Sequence, residues 1–417
     1  MAAQDTRFMS EFSFRKILIP AYGPSLLFGI GYGAILPVIV ISAQQHGASV
    51  ALAALMSTFI AVASLVTNIP ASAVTSKFGE KWAIVAAAGW STLAMALALF
   101  TGGLWTFIAA MVMVGMSNSV FNLARQSYLT EAVPFHFRAR ALSTLGGVLR
   151  IGVFIGPVIG AGVITLMGTN GAYVVALVAI GAATLLALTL PELDRDTRIR
   201  NSVDPSRAGA PVQEPRARVT VMDIARRYRR VFFTVGIGIM TIGAVRASRQ
   251  VVIPLWGSHL GLDDATISLV YAAVGFIDMA VFYPAGRAMD KRGRLFVAVP
   301  CLLIMGLATL ALPLTTGLVA YALVSMIIGF GNGLGSGIVM TFGADYSPTF
   351  GRPQFLALWR LQTDVGALAG PAVISAVTAA VSLGAGIASA GVFGLIGAAA
   401  LWYFVPRTPP ARFHAKT

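Results

Sequence analysis

Apolar runs of roughly 20 residues recur about twelve times along this chain, each long enough to cross a hydrocarbon core of about 30 Å as a helix. Lipid offers no hydrogen-bond partners, so a crossing segment must satisfy its own backbone, which a helix does. The runs cover residues 17–41, 50–73, 82–101, 104–128, 142–167 and 171–190, then 231–257, 265–286, 295–314, 317–343, 355–380 and 384–405. Residues 191–230 break the pattern, being rich in Arg, Asp, Pro and Ser, and read as a polar linker that cannot bury itself in lipid. The expected organisation is an N-terminal half (1–190), the linker (191–230), a C-terminal half (231–406) and a short tail (407–417). The first run, 17–41, is too long for a signal-peptide core and is read as the first span.

Charge supports this class of fold. Only 11% of the residues are charged, against about 25% in soluble domains, which argues against a soluble enzyme. A phosphate-binding GxxxxGK[ST] loop is absent, so ATP-driven pumping on this chain is not expected. Neither a cofactor nor a metal is expected: the one thiol, Cys301, lies in an apolar run, and His46, His136, His259 and His414 fall in predicted loops or tails. Lys and Arg concentrate in the tails (Arg7, Arg15, Lys16, Arg407, Arg412, Lys416), in the linker and in alternate loops (Lys77, Lys81, Arg138, Arg140, Lys291, Arg292, Arg294). By the positive-inside rule, both termini and the linker face the cytoplasm, in a multi-pass protein of the cytoplasmic membrane. The net charge of +14 then reflects topology and anionic lipid rather than nucleic-acid binding.

The two halves echo one another. A gapless shift of 214 residues pairs Gly79 with Gly293, Gly115 with Gly329, Asn118 with Asn332, Glu131 with Asp345, Pro134 with Pro348 and Arg138 with Arg352. It also pairs Gly152 with Gly366, Gly156 with Gly370 and Pro157 with Pro371. Two parallel six-helix halves around a midplane site suit alternating access.

After span 8 stands Gly286-Arg287-Ala288-Met289-Asp290-Lys291-Arg292-Gly293-Arg294, which resembles the signature loop of the major facilitator superfamily. That resemblance implies a fold of two pseudo-symmetric six-helix bundles, a monomer, and a loop that helps hold one side of the halves together, with Asp290 as its acid. The matching first-half loop keeps Gly79 but has Ser76 where the acid belongs. Span 5 carries Gly152-x-x-x-Gly156-Pro157-x-x-Gly160-Ala161, similar to the Gly-Pro motif of the drug:proton antiporter branch, with Ala161 and Ser143 replacing two glycines. Span 11 repeats it as Gly366-x-x-x-Gly370-Pro371, so close helix packing explains the motif as readily as antiport does.

Ionisable groups within spans need a partner, water or a function. Asp278 lies about eight residues, roughly 12 Å, into span 8, and Arg150 a similar depth into span 5. The resemblance makes these spans neighbours, so Arg150 and Asp278 are candidates for an interdomain pair that opens on protonation, or for a permanent structural pair. Asp364, the repeat mate of Arg150, stands one turn from Arg360 and is the second candidate proton carrier. In span 7, Arg246, Arg249 and Gln250 share a face that the resemblance turns toward the substrate. Asn118, Asn122 and Arg125 form a polar stripe on span 4, with Asn332 expected to face the same cavity from the other half. Tyr22, Tyr32 and Trp256 are possible aromatic walls.

The expected activity is proton-coupled efflux of a small amphipathic compound, neutral or anionic because the buried arginines outnumber the acids. Its partners would be that substrate, protons and membrane lipids. Two alternatives stand: uptake of an organic anion or nutrient, and a non-transporting scaffold or sensor.

Overall fold

The computed structural model describes residues 14–100, 102–133, 138–192, 220–335, 337–348 and 351–408. Arg7, Arg412, Lys416, His136, His414, Pro134 and most of the linker lie outside the described residues. Within the described residues the chain is helical without strands. The spanning helices are α1 (Phe14–Ile35), α2 (Met56–Phe78), α3 (Glu80–Phe100), α4 (Leu104–Ala132), α5 (Arg138–Met167) and α6 (Asn170–Leu188). They continue with α7 (Val235–His259), α8 (Asp264–Arg292), α9 (Leu295–Ala311), α10 (Leu318–Leu334), α11 (Arg352–Ala380) and α12 (Leu383–Phe404). Among the described residues, 11 helical segments are long and apolar enough to cross a membrane, or 12 with one bent pair counted as a span.

That bent pair is the first span, which the apolar run presents as a single helix. It breaks after Ile35 and resumes at Ile39–Gln45 with a 47° bend. Pro37 sits in the break, and proline brings no N–H to continue the ladder. Span 10 also breaks: α10 stops at Leu334, and Ile338–Tyr346 begins after Gly337, whose φ of +88° favours glycine.

The chain divides into two compact units. The first takes Met1–Ile35, Ala63–Gly102 and Ala109–Ala210; the second takes Leu36–Val62, Gly103–Ile108 and Pro211–Thr417. In the first, α1 packs on α5 and α6, and α3 on α6. Ser117 of α4 donates to the Ala87 carbonyl of α3 at 2.6 Å, and Ser119 to Asn68 Oδ1 of α2 at 2.6 Å. In the second, α7 packs on α11 and α12, α8 on α10, and α9 on α10 and α12. The short helix Val50–Ala54 packs on α11, where Ser375 donates to the Ala51 carbonyl at 2.7 Å.

The 214-residue repeat reappears as geometry. A Cβ on Gly152 would run into the Leu26 carbonyl of α1, and one on Gly156 into that of Ile30. On α11, a Cβ on Gly366 would run into the Met240 carbonyl of α7, and one on Gly370 into that of Ala244. Leu26 and Met240, like Ile30 and Ala244, are themselves 214 residues apart. The Gly-Pro motif therefore has the same packing task in each unit. The turn glycines obey the shift too: Gly79 and Gly293 have φ of +82° and +92°, and Gly47 and Gly261 have +89° and +73°.

Gly156→Leu and Gly370→Leu are each expected to cost about 1–3 kcal/mol or to prevent folding, read as a lower unfolding temperature and loss of monodisperse protein in detergent. Gly162→Ala, where the added carbon meets nothing within 4 Å, is the control and should stay within about 0.5 kcal/mol. A second prediction concerns Asp263, which caps α8 by accepting from the Thr266 amide at 2.9 Å. The Thr266 hydroxyl and amide hold its carboxyl below the usual carboxylate range. Stability from a depressed acid is present above the unfolded pKa and lost as pH falls through the folded one. Asp263→Ala should thus cost about 1 kcal/mol at neutral pH, and the gap to the natural protein should close as the pH is lowered past that range in thermal melts.

Candidate functional site

The second unit holds the most concentrated polar chemistry inside the spans, and glycines on α10 set it up. A Cβ on Gly329 would meet the Val274 carbonyl of α8 at 2.6 Å, and one on Gly333 the Asp278 carbonyl at 2.7 Å. This Gly-x-x-x-Gly face lets the two backbones close on each other. Asn332, between the two glycines, is thereby brought to the carboxylate, and its Nδ2 donates to Asp278 Oδ2 at 2.8 Å. Asp278 Oδ1 and Asn332 Oδ1 are buried and have no hydrogen-bond partner among the described residues. A carboxyl group with one oxygen anchored and the other without a donor has a place for a proton or for a ligand's N–H or O–H.

The arginines of α7 approach the same interior. Gly335, in the break of span 10, leaves room for Arg246: a Cβ there would lie 2.7 Å from Arg246 Nη2 and 2.5 Å from Cys301 Sγ of α9. The charges of Arg246 and Asp278 both act at that thiol. Arg249 lies over the Tyr271 ring of α8, 5.9 Å from its centroid, and the charges of Arg249 and Asp278 both act at this phenol. Arg249 Nε is buried without a hydrogen-bond partner among the described residues. Gln250 is half-buried beside them. Two guanidinium groups, one carboxyl and one amide thus stand on packed helices of one unit, half-buried or buried, with Tyr271 and Cys301 among them.

On α4 the polar stripe forms a ladder along its own helix. Arg125 Nη2 donates to Asn122 Oδ1 at 2.6 Å, and Asn122 Nδ2 donates to Asn118 Oδ1 at 2.6 Å and to the Asn118 carbonyl at 2.7 Å. Arg125 also lies 5.8 Å from the Phe121 ring centroid, and Phe121 stacks on Phe28 at 4.0 Å. Arg125 Nε and Nη1 remain buried and unpartnered among the described residues. Asn118 and its repeat mate Asn332 therefore have different neighbours: a polar ladder for one, a carboxylate for the other. Position 64, the mate of Asp278, is Ser64.

Other candidates are more dispersed. Arg150 is exposed on α5 and belongs to the first unit, whereas Asp278 belongs to the second. Asp364 on α11 is half-buried and feels the charge of Arg360, without an ion pair between them. In the signature loop, Gly293 ends α8 with positive φ, and Gly286 has open space where a Cβ would go. Asp290 is exposed and has no partner among the described residues, while Arg294 forms an ion pair with Asp345 at 2.7 Å. The loop's tie within its unit is thus Arg294. Two of the suggested aromatic walls are engaged in packing. Tyr22 donates to the Ala141 carbonyl at 3.2 Å, and Trp256 to Thr315 Oγ1 at 2.8 Å.

Sequence reasoning passed over Tyr271 and Gly335 and gave Cys301 no place in the site. Tyr271 had a legible signal, since it stands two turns before Asp278 on the same helix face. Cys301 and Gly335 carried none, because their relation to Arg246 arises only from helix packing.

Comparison with known proteins agrees with this architecture. The family model described as Major Facilitator Superfamily matches residues 25–350 and 235–417. An uncharacterized MFS-type transporter, YhjO of Bacillus subtilis (strain 168), is 20% identical over 332 residues, covering 79% of this chain and 78% of its own. A bacterial homolog of the human lysosomal transporter Spinster, solved inward-facing and unoccupied, superposes with a TM-score of 0.76 at 15% identity, over 93% of this chain and 95% of that one. A D-xylose-proton symporter gives a TM-score of 0.70 at 16% identity, over 94% and 97%. Spanning helices, repeat, signature loop and family match converge, and the chain belongs to the Major Facilitator Superfamily of membrane transporters.

Proposed function

We propose that this protein is a proton-coupled secondary transporter that exports a small amphipathic compound, neutral or anionic, across the cytoplasmic membrane with both termini inside. The observation that carries this reading is the Asp278–Asn332 pair, with its two undonated oxygens, in one interior with the α7 arginines. The anchored carboxyl would take and release the coupling proton, and Arg150 would serve as its counter-charge at another stage of the cycle. Arg246, Arg249 and Gln250 would bind the polar end of the substrate, with Asn118, Asn122 and Arg125 as further contacts. Asp364 is the second candidate for the proton. Substrate movement would follow alternating access of the two six-helix halves.

A second reading is proton-coupled uptake of an organic anion. It is favoured by the equal packing role of the Gly-Pro motif in both units, which deprives the motif of directional meaning, and by the arginine pair. A proton symporter sharing this fold makes that direction chemically reasonable.

Reconstitution in liposomes with a lumenal pH dye separates these readings. External substrate entering against protons should turn the lumen alkaline, whereas symport would acidify it and overturn efflux. Asp278→Asn keeps an amide hydrogen bond but carries no titratable proton, so it should abolish the pH signal while preserving substrate binding. A full signal in that variant would remove Asp278 from coupling. Arg246→Gln should weaken binding of an anionic substrate about tenfold, the scale of one charge-assisted hydrogen bond, and leave a neutral one less affected. A folded protein that gave no pH signal with cations, neutrals or anions would point to a non-transporting role.

A further inference from the structure

We propose that residues 221–233, just ahead of and entering α7, form a binding strip for anionic phospholipid headgroups, a site distinct from the Asp278 cluster and independent of the transport reading. The segment consists of two short helices, Val221–Arg227 and Arg229–Phe232, hinged at Tyr228. Ile224, Tyr228 and Phe232, at i, i+4 and i+8, make up its docking face. Tyr228 meets Phe355 edge-on at 5.6 Å, Phe232 lies 5.0 Å from Phe355 and 6.5 Å from Trp359, and Gln362 Nε2 donates to the Phe232 carbonyl at 2.8 Å. These contacts hold the strip against the first turns of α11, and a Thr220–Asp223 capping box closes its start.

With that face committed, the remaining surface carries Arg226, Arg227, Arg229 and Arg230, all exposed. Four guanidinium groups within five residues concentrate positive charge that an anion among them would neutralise. The strip's one acid, Asp223, is occupied in the cap, accepting from the Thr220 hydroxyl at 2.7 Å and the Thr220 amide at 3.1 Å. None of the four arginines has an ion-pair partner among the described residues. The segment has no lysine, and the planar fork of arginine matches phosphate oxygens in pairs.

The apolar residues select the kind of anion. Met222 and Phe233 share the arginine-bearing surface and are 59% and 75% exposed. A soluble phosphate or a nucleic acid would leave these side chains in water. A phospholipid would place its phosphate against the arginines and its acyl chains against Met222 and Phe233. The position is right for this, since the strip runs into the candidate span Arg229–His259, where a spanning helix passes the headgroup layer. Because the strip is bolted to α11 and continuous with α7, bound lipid would stabilise that helix pair.

The full-length protein in detergent is titrated with phosphatidylglycerol, phosphatidylcholine or inorganic phosphate, and followed by native mass spectrometry and thermal unfolding. Phosphatidylglycerol should bind and raise the unfolding temperature more than phosphatidylcholine, with no effect of phosphate. Combining Arg226→Gln, Arg227→Gln, Arg229→Gln and Arg230→Gln should weaken phosphatidylglycerol binding about tenfold or more and remove the difference between the lipids. Four Arg→Lys changes, which keep the charge and lose the fork, should retain only part of the difference, and full retention would remove the fork from the recognition. A control carrying Lys77→Gln and Arg407→Gln, exposed cations outside the strip and the signature loop, should behave as the natural protein does. If the fourfold Gln variant does not fold, Arg229→Gln with Arg230→Gln carries the same test with a smaller loss. Equal response to both lipids, a full phosphatidylglycerol shift in the Gln variants, equal loss in the control, or reproduction of the shift by phosphate would each overturn the proposal.

Discussion

Between two helices in hydrocarbon the hydrophobic effect gives little, because a lipid tail is as good an apolar neighbour as a leucine. What holds such helices together is close backbone approach, which small residues permit. The α1–α5 pair closes through Gly152 and Gly156, and the α7–α11 pair through Gly366 and Gly370. The rest of the second unit depends on that closure. A Cβ on Gly243 of α7 would run into the Thr363 carbonyl, so the Gly243–Ala244 side of α7 is pressed on α11. Arg246 and Arg249 are turned to other neighbours, Arg246 beside Gly335 and Arg249 over the Tyr271 ring. The same economy sets α10 on α8 and delivers Asn332 to Asp278.

Buried charge acts on top of this packing. A carboxylate inside a bundle costs several kcal/mol unless it is bonded or protonated, and among the described residues Asp278 has a donor for only one of its oxygens. The first half has met the equivalent demand differently. Ser64 replaces the acid, and the mate of Asn332 belongs to a ladder ending in Arg125. Two halves of one repeat thus share a backbone frame and differ in the charges set on it, with a carboxyl at 278 where the first half has Ser64.

The signature loop shows how a motif can be legible while its contacts are not. Of its glycines, Gly293 turns the chain at positive φ as Gly79 does in the other half, whereas Gly286 has open space where a Cβ would go. Its acid, Asp290, is exposed, whereas its last cation, Arg294, reaches Asp345 across 51 residues of chain. Nothing local to the loop marks Asp345 as that partner. The breaks of spans 1 and 10 were missed for a related reason. Hydropathy integrates over a whole run, and Pro37 or Gly337 can interrupt a helix without lowering the run's hydrophobicity.

Hydrophobicity and periodicity are summed along the chain, so the sequence by itself determined the helical membrane class, the two-half repeat and which ionisable residues fall within the apolar runs. The family resemblance was readable from the same kinds of local spacing. Which charges meet was decided only by tertiary structure, because side-chain partners are set by the rotation and depth of each helix, and those follow from which glycines face which neighbour. Asp278 taking Asn332, Arg249 lying over Tyr271 and Arg246 coming with Cys301 beside Gly335 all come from that rotation. Residues 54 apart for the first pair, 22 for the second and 55 for the third are brought together by packing.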